Sequence, residues 1–345
     1  MMTDARVREP VPILLNKVLR YLECRGLPPM SGAVVTELTD GVSARVYLVE
    51  DSSGRRVVKQ ALPELNVKSL WLADPHRAMT EAAALKLAHG LTPDNVPALI
   101  DADPVDCVLT MSAAPAGLLN WRSQLLQHTP PTSDLVFVGQ ELGRILGTWH
   151  RATWADPAVA EQFSDDETFE QLRLTPFHRT VLEKYPELRT ALRSCIDELA
   201  DRRECLVHGD FSPKNILVSE SEVWVLDFEV ARFGAAVFDL AFLGHHLAIK
   251  AAVLPERAAD LQRTFKEFLE SYAKALGRTI EDRTLGWHIA ALMLARVDGV
   301  SPAGYLSEPQ RVTVREAARA VLASSDSSTA ALWNTVLAHA QVGAP

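Results

Sequence analysis

The stretch LVHGDFSPKNILVSESEVWVLDF, residues 206–228, decides the fold. Asp210 follows a histidine and a glycine, Asn215 comes five positions later, and Asp227 ends the second of two short apolar runs. These β-branched runs predict a tight two-stranded ribbon. A ribbon of this kind brings a loop and the end of the neighbouring strand together. The sequence therefore predicts that Asp210, Asn215 and Asp227 converge.

Phosphoryl transfer explains each of these residue types. The reaction needs a carboxylate that orients the acceptor hydroxyl and takes its proton, which predicts Asp210 as the catalytic base. It also needs hard oxygen ligands for Mg²⁺, which predicts Asn215 and Asp227 as metal ligands. One alternative is a hairpin with incidental polar residues. A zinc site at His208 and Asp210 is disfavoured, because no third ligand lies nearby at helical spacing.

The N-terminal third predicts a small sheet with one helix packed on it. Apolar and β-branched runs separated by turn sequences favour an antiparallel start. The predicted strands are 33–38, 44–50, 55–61, 96–100 and 105–111, and the predicted helices are 11–25 and 76–89.

The character changes after Met111, where long stretches of helical periodicity begin. The predicted strands are 216–218 and 223–226, the predicted helices are 134–154, 238–250, 256–276, 280–296, 309–323 and 329–341, and 156–200 is expected to be partly helical. The sequence thus predicts an α+β protein with a nucleotide-binding N-lobe, residues 1–112. A larger helical C-lobe, residues 113–345, is expected to carry the catalytic loop and the substrate site, with a hinge near 111–117.

Lys59 lies near the end of the third predicted strand. A lysine on an edge strand is usually solvated. Beside the 206–228 stretch, however, we favour a clamp in which Glu81 of the following helix holds Lys59 against the α- and β-phosphates. The turn with Asp40, Gly41 and Ser43 could cover the phosphates with backbone N–H groups, or it could be an ordinary hairpin turn.

Composition limits the partners. The 345 residues carry a net charge of −9, which argues against binding nucleic acid. The apolar run near the N-terminus is too short for a signal peptide, and no stretch approaches a membrane span. We therefore expect a cytoplasmic protein without membrane contact.

Two segments carry a resemblance to a known family. HGDFSPKNILV (208–218) resembles the catalytic loop of the aminoglycoside phosphotransferase and choline kinase superfamily, and VLDFEVARFGAAVFDLA (225–241) resembles its metal-binding segment. The likeness extends over residues 33–300. Within the superfamily the chain is most similar to the 5-methylthioribose kinase branch, through KQALP in residues 57–85 and LARVDG in residues 294–299.

The resemblance implies a protein-kinase-like two-lobed fold that uses ATP and Mg²⁺. It also implies roles for single residues: Met111 and Ala113 at the adenine, Glu229 at the metals, Asp210, Glu229 and Arg296 at the substrate, and His208 and Asp239 as structural support. Asp239 is equally explained as a helix N-terminal aspartate favoured by the dipole. The chain departs from the methylthioribose kinases in having one arginine, Arg296, where they have a pair, and in its DFSPKN loop.

The predicted function is transfer of the γ-phosphoryl of ATP to a hydroxyl of a sugar-like or nucleoside-like small molecule. The alternatives are a kinase that modifies an aminoglycoside or another sugar-bearing natural product, a choline kinase, and a catalytically inactive nucleotide-binding scaffold. The scaffold is disfavoured because the catalytic and phosphate-binding residue types are all present. Lys214 either reaches the transferred phosphate or is solvated. The apolar C-terminal helices and the resemblance favour a homodimer.

Overall fold

The computed structural model describes residues 12–38, 44–63, 73–127, 133–279 and 283–342. These residues form two compact units, the first ending at Ala116 and the second beginning at Gly117. The boundary predicted from sequence, after residue 112, lies slightly N-terminal to this point. Asp40, Gly41 and Ser43, predicted at the nucleotide, lie outside the described residues.

Strands and helices are numbered in chain order. The strands are β1 Val34–Leu38, β2 Ala44–Asp51, β3 Gly54–Ala61, β4 Leu99–Asp103, β5 Val108–Ser112, β6 Leu119–Asn120, β7 Cys205–Val207, β8 Ile216–Val218, β9 Val223–Val225 and β10 Arg232–Gly234. The helices are α1 Val18–Cys24, α2 Arg77–Leu91, α3 Trp121–Leu126, α4 Leu135–Thr153, α5 Pro157–Gln162, α6 Glu167–Phe169, α7 Thr180–Lys184, α8 Arg189–Asp201, α9 Val237–Val253, α10 Ala258–Leu276, α11 Leu285–Asp298, α12 Glu308–Ala323 and α13 Thr329–Val342. A π-helix, Glu170–Arg179, joins α6 to α7.

The first unit is built on an antiparallel sheet with the strand order β1-β2-β3-β5-β4. Helix α1 packs Val18 and Leu22 against sheet residues, so the hydrophobic core lies between them. Tyr47 adds a buried hydrogen bond, because its hydroxyl donates to the carbonyl of Ile13 at 2.7 Å. The predicted sheet with an accompanying helix is therefore present in this unit.

Two strands of this sheet lie further along the chain than predicted. β4 begins at Leu99, after Pro97, which has no N–H to donate to a ladder. A turn then precedes β5, because the Asp103 carboxylate accepts hydrogen bonds from the backbone N–H groups of Val105 and Asp106, at 2.9 and 3.2 Å. The predicted strands 96–100 and 105–111 were therefore wrong in their bounds, since turn chemistry overrides apolar character there.

The second unit is helical apart from two small sheets, β6-β8-β9 and β7-β10. The ribbon predicted from residues 216–226 is present as the antiparallel pair β8 and β9. The sequence analysis missed the very short elements β6, α3, β7 and β10. None of the helices in the described part of the chain combines the length and apolar character that crossing a membrane requires.

Helices α4 and α10 approach each other through a row of glycines. Gly139, Gly143 and Gly147 recur every four residues on α4 and so lie on one face. A methyl group on Gly143 would lie 2.8 Å from the backbone nitrogen of Tyr272, and one on Gly147 would lie 2.7 Å from the Tyr272 carbonyl oxygen. Only glycine fits this face, because the neighbouring atoms belong to backbone and cannot rotate away.

We expect Gly143→Ala to lower the free energy of unfolding by about 2 kcal/mol or more, because overpacking against fixed backbone forces the two helices apart. Gly304→Ala is the matched control, since its methyl group would meet nothing within 4 Å. The control should change stability by only about 0.4–1 kcal/mol, in the stabilising direction. Urea denaturation measures both. Equal stability of the two variants would contradict the close packing.

Candidate active site

Asp210 lies in the loop between β7 and β8, with its carboxylate almost fully buried. Two cations contact the same oxygen, Oδ2. The ammonium of Lys214 lies at 2.7 Å and the guanidinium of Arg173 at 3.1 Å. The hydroxyl of Ser212 donates to the other oxygen at 3.3 Å. The predicted catalytic base is thus a buried carboxylate surrounded by donors.

The two cations decide the charge of this carboxylate. Burial opposes ionisation of Asp210, but Lys214 and Arg173 outweigh burial and hold the pKa of Asp210 below its usual value. The neighbouring Asp227 acts in the opposite direction. Asp210 is therefore ionised at neutral pH, which is the state that a proton acceptor needs.

A second buried carboxylate holds the Asp210 loop in place. Asp239, in the first turn of α9, accepts a hydrogen bond from the backbone N–H of His208 at 2.6 Å and another from that of Gly209 at 2.9 Å. Its side chain is fully buried. Both backbone donors would otherwise be buried without a partner, so one side chain satisfies the start of the loop.

Helices α4 and α10 orient this carboxylate in turn. The Nε2–H of His150, on α4, donates to Asp239 Oδ2 at 3.3 Å. The Nδ1 of the same ring pairs with the hydroxyl of Tyr272, on α10, at 2.8 Å. Because the glycine row brings these two helices together, the Tyr272–His150–Asp239 chain links their packing to the Asp210 loop.

His208 connects the loop to the neighbouring strand. Its Nδ1 accepts a hydrogen bond from the backbone N–H of Asp210 at 3.1 Å, and its Nε2–H donates to the carbonyl of Leu226 at 3.1 Å. Burial lowers the pKa of His208 in spite of the carboxylates around it. The ring is therefore neutral and fixes the distance between the loop and the end of β9.

Gly209 makes the turn before Asp210 possible. Its φ is +75°, and a methyl group there would collide with the backbone of Val230. Asp227 also has a positive φ, +71°, which is uncommon for a residue other than glycine and is tolerated better by aspartate than by most residues. Both loops thus depend on left-handed backbone at a single position.

Asn215, Asp227 and Glu229 supply the oxygen donors of the site. The Nδ2 of Asn215 donates to the Asp210 carbonyl at 3.0 Å, which leaves the amide oxygen as the donor atom for a metal. A backbone hydrogen bond of 2.9 Å from Leu226 to Asn215 joins the two loops. One carboxylate oxygen of Asp227 and one of Glu229 lie within 4.8 Å of each other.

In the first unit the two residues of the predicted phosphate clamp pair with each other. The ammonium of Lys59, on β3, lies 2.8 and 2.7 Å from the two carboxylate oxygens of Glu81, on α2. Both side chains are buried. Met111 lies on β5, and the backbone N–H of Ala113 donates to the carbonyl of Arg55 at 3.1 Å.

Arg296 lies near the C-terminal end of α11. Its guanidinium donates to the hydroxyl of Ser301 at 3.0 Å and to the carbonyl of the same residue. Burial lowers its pKa, and the charges of Tyr305 and Asp210 oppose that shift. Its predicted role at the substrate stays a prediction.

Sequence reasoning missed Arg173, which contacts both Asp210 and the Gly209 carbonyl, the latter at 2.6 Å. Arg173 lies on the π-helix, within a polar stretch that shows no motif. The sequence left open whether Lys214 reaches the transferred phosphate or is solvated. In the structure Lys214 pairs with Asp210 instead. Its spacing of four residues from Asp210 was the one available signal.

Residues 34–287 match the phosphotransferase enzyme family, APH. Because the match covers most of the chain, the chain belongs to this family, and the predicted family is confirmed. Methylthioribose kinase 1 of Oryza sativa subsp. japonica is 25% identical over 280 residues, which are 73% of this chain and 63% of the rice protein. The chain thus spans less than two thirds of that relative. Methylthioribose kinase of Bacillus mycoides is 25% identical over 294 residues, with 74% of this chain and 72% of the relative covered.

Two solved structures confirm the predicted α+β, protein-kinase-like fold. Macrolide 2'-phosphotransferase MphH from Brachybacterium faecium aligns with a TM-score of 0.52 and 19% identity, covering 94% of this chain and 98% of that one. A choline/ethanolamine kinase family protein from Mesorhizobium loti aligns with a TM-score of 0.51 and 14% identity, covering 94% and 100%. At these identities the likeness concerns the fold alone.

We expect Asp239→Ala to lower the free energy of unfolding by about 3–5 kcal/mol, because it leaves two buried N–H groups and a buried histidine without their acceptor. Asp260→Ala is the matched control. Asp260 also lies in the first turn of a helix, but its side chain is 55% exposed and pairs with Arg263. Its loss should change stability by less than about 1 kcal/mol. Chemical denaturation gives both values, and a neutral Asp239→Ala would contradict the anchoring role.

Proposed function

We propose that this protein is a kinase that transfers the γ-phosphoryl of ATP to a hydroxyl of a small molecule. The observation that carries the proposal is the buried, ionised Asp210 carboxylate beside a second loop that supplies oxygen donors. A hairpin with incidental polar residues would not need two cations to keep a buried acid charged. An inactive scaffold is disfavoured for the same reason.

The proposed step is a simple exchange of bonds. The bond between the γ-phosphorus and the bridging oxygen to the β-phosphate breaks, and a bond from the acceptor oxygen to the γ-phosphorus forms. The hydroxyl proton goes to Asp210, and ADP leaves. Positioning and electrostatic stabilisation supply most of the rate enhancement in such transfers. Lys214 and Arg173 keep Asp210 ionised until the hydroxyl arrives.

The donor set suits Mg²⁺, which prefers oxygen ligands from carboxylates and carbonyl groups. Asn215, Asp227 and Glu229 are the residues that would hold it. A bound Mg²⁺ would neutralise charge that develops on the transferred phosphate. All three side chains belong to the loops that His208 and the β8–β9 ribbon fix, so the donors are ordered in advance.

The nucleotide roles follow the same reasoning. Lys59, oriented by Glu81, would meet the α- and β-phosphates of ATP, as a strand lysine does in this class of kinase. Met111 and Ala113 would contact the adenine, and the turn with Asp40, Gly41 and Ser43 would cover the phosphates. A cytoplasmic location and a homodimer remain predictions from the sequence.

The acceptor class we propose is a sugar-like or nucleoside-like metabolite. The methylthioribose kinases among the relatives support it, since their names give a sugar-derived acceptor. The single Arg296 and the DFSPKN loop argue against assuming methylthioribose itself. A kinase that modifies an antibiotic remains the alternative.

We expect Asp210→Asn to lower kcat by about 10²- to 10⁴-fold, the range for losing a general base. ADP release over a panel of pentoses, methylthioribose, aminoglycosides, nucleoside antibiotics and choline identifies the acceptor first. Calorimetry should then show that Mg-ATP binding is retained. Asp197→Asn, an exposed substitution on α8, serves as the control and should match wild type. Wild-type turnover by Asp210→Asn would refute the assignment.

A further inference from the structure

Two cationic side chains contact Asp210, a third interacts with it electrostatically, and two more interact with that third one. Together we call these five the basic cluster. They are Arg122, Arg173, Lys214, Lys250 and Arg296. Arg173 and Lys214 share the Asp210 carboxylate. In the part of the chain that the structure describes, no carboxylate lies within ion-pair distance of the other three. The second unit therefore concentrates positive charge around Asp210 and Arg296.

Lys250 is the most informative member. Its side chain is 1% exposed, on the inner side of α9. The ammonium donates to the carbonyl of His246 at 3.3 Å and lies 5.5 Å from the centre of the Tyr305 ring. A buried ammonium is ordinarily paired with a carboxylate, because leaving water costs much free energy. Among the described residues the partners of this ammonium are a carbonyl and a ring, which indicates that its counter-charge comes from a ligand.

A continuous row of contacts leads from Asp210 to this lysine. Arg173, 3.1 Å from Asp210, lies 5.4 Å from the centre of the Phe242 ring. The Phe242 and His246 rings are 5.9 Å apart, and the His246 carbonyl accepts from Lys250. One face of α9 carries residues 242, 246 and 250 at helical spacing. This face therefore connects Asp210, through Arg173, to the buried ammonium.

The charges of the neighbourhood agree with this geometry. Burial, together with the charges of Arg122, Arg296 and Arg257, lowers the pKa of Lys250 to about 7. These arginines come from α3, from α11 and from the turn before α10. Burial lowers the pKa of Arg296 as well, and Arg122 and Arg173 add to that effect. The groups repel one another, and a bound anion would relieve that repulsion.

We propose that the acceptor carries an anionic group, a carboxylate or a phosphate, which Lys250 and Arg296 bind while the acceptor hydroxyl faces Asp210. This inference rests on the kinase function proposed above and narrows its substrate class. Sugar acids and sugar phosphates fit it. Polycationic aminoglycosides do not, because their charge has the same sign as that of the basic cluster.

Binding without ATP tests the anion site independently of turnover. The probes for calorimetry are D-ribonate, D-ribose 5-phosphate and ribitol, which share a carbon chain and differ in charge. At least one of the two anions should bind more tightly than ribitol. The anion with the higher affinity shows whether the acceptor carries a carboxylate or a phosphate. Ribitol binding as tightly as both anions would overturn the proposal.

Variants of Lys250 locate the site. Lys250→Met, which fills the same volume, should weaken binding of the preferred anion about 10- to 100-fold, the loss expected for a charge-assisted contact. Lys250→Arg, which keeps the charge, should recover part of the affinity. Lys266→Met, an exposed lysine of α10, is the matched control and should bind as wild type does. Thermal unfolding verifies that each variant is folded. Unchanged anion binding in folded Lys250→Met would overturn the proposal.

Turnover separates this proposal from the kinase function. In ADP-release assays, Lys250→Met should raise KM for the anionic acceptor and leave KM for Mg-ATP within about twofold. A raised KM for Mg-ATP without anion binding would assign the cluster to the nucleotide phosphates and refute an anionic acceptor. Turnover of neutral acceptors alone would refute it as well and leave the kinase function intact. Anion binding with no turnover of any acceptor would instead refute the kinase function.

The pH dependence of ribonate affinity is a further test, because a lysine with a merely structural role would not change it. A bound carboxylate raises the pKa of Lys250, so affinity is full below about pH 7 and falls as pH rises, by at most about tenfold per pH unit. The facing arginines stay charged throughout. The pKa of His246 lies well below its usual value, and that of Tyr305 lies above its own. Lys250→Met should abolish the slope between pH 6.5 and 8.5, and a slope that persists would overturn the assignment.

Discussion

The organisation of the catalytic unit depends on one buried carboxylate, that of Asp239. It accepts both backbone N–H groups at the start of the loop that carries Asp210. Phe211 of this loop packs among aromatic side chains, while the conformation of the backbone is set by where its hydrogen bonds go. The carboxylate itself is fixed through His150 and Tyr272. The glycine row on α4 lets those two residues meet, so the geometry of the site is determined within the helical core.

A second constraint is the balance of charge at Asp210. A base that is buried tends to become protonated, and a base that is exposed is too well solvated to act strongly. The structure resolves this conflict by placing Lys214 and Arg173 on one oxygen of Asp210. Within the described part of the chain, the other oxygen receives a long hydrogen bond from Ser212 and no cation, so it is better placed to accept a proton. The cations that keep Asp210 ionised thus contact one carboxylate oxygen, and the other oxygen is the one that would accept the proton.

The sequence was most informative where short spacing determines geometry. Asp210, Asn215 and Asp227 could be grouped because a five-residue loop and a tight ribbon leave few arrangements. Lys59 and Glu81 could be paired because a strand lysine held by a glutamate of the following helix is the usual phosphate clamp in this class of kinase. Arg173 could not be found in this way. It contacts Asp210 from a π-helix, and the apolar periodicity of the sequence does not predict which residues of a π-helix share a face.

The same limit applies to the supporting residues. His150 and Tyr272 are 122 positions apart, and only the packing of α4 on α10 brings them together. Lys250 has the sequence context of an ordinary buried helix, VFDLAFLGHHLAIKAAV, and only the three-dimensional structure shows that no carboxylate of the described residues pairs with it. The predicted bounds of β4 and β5 were also wrong. A proline and an aspartate-capped turn make these strands begin further along the chain than their apolar residues indicate.

The buried ammonium of Lys250 has a consequence for how long the protein survives in a cell. An uncompensated charge in the interior lowers the stability of the empty protein, and a ligand that supplies the counter-charge stabilises the folded state by mass action. Cellular proteases degrade proteins in proportion to the unfolded fraction. Protein lacking its substrate would therefore be removed faster than protein that is occupied. The amount of this protein would then follow the supply of the ligand that Lys250 binds, without a dedicated regulator.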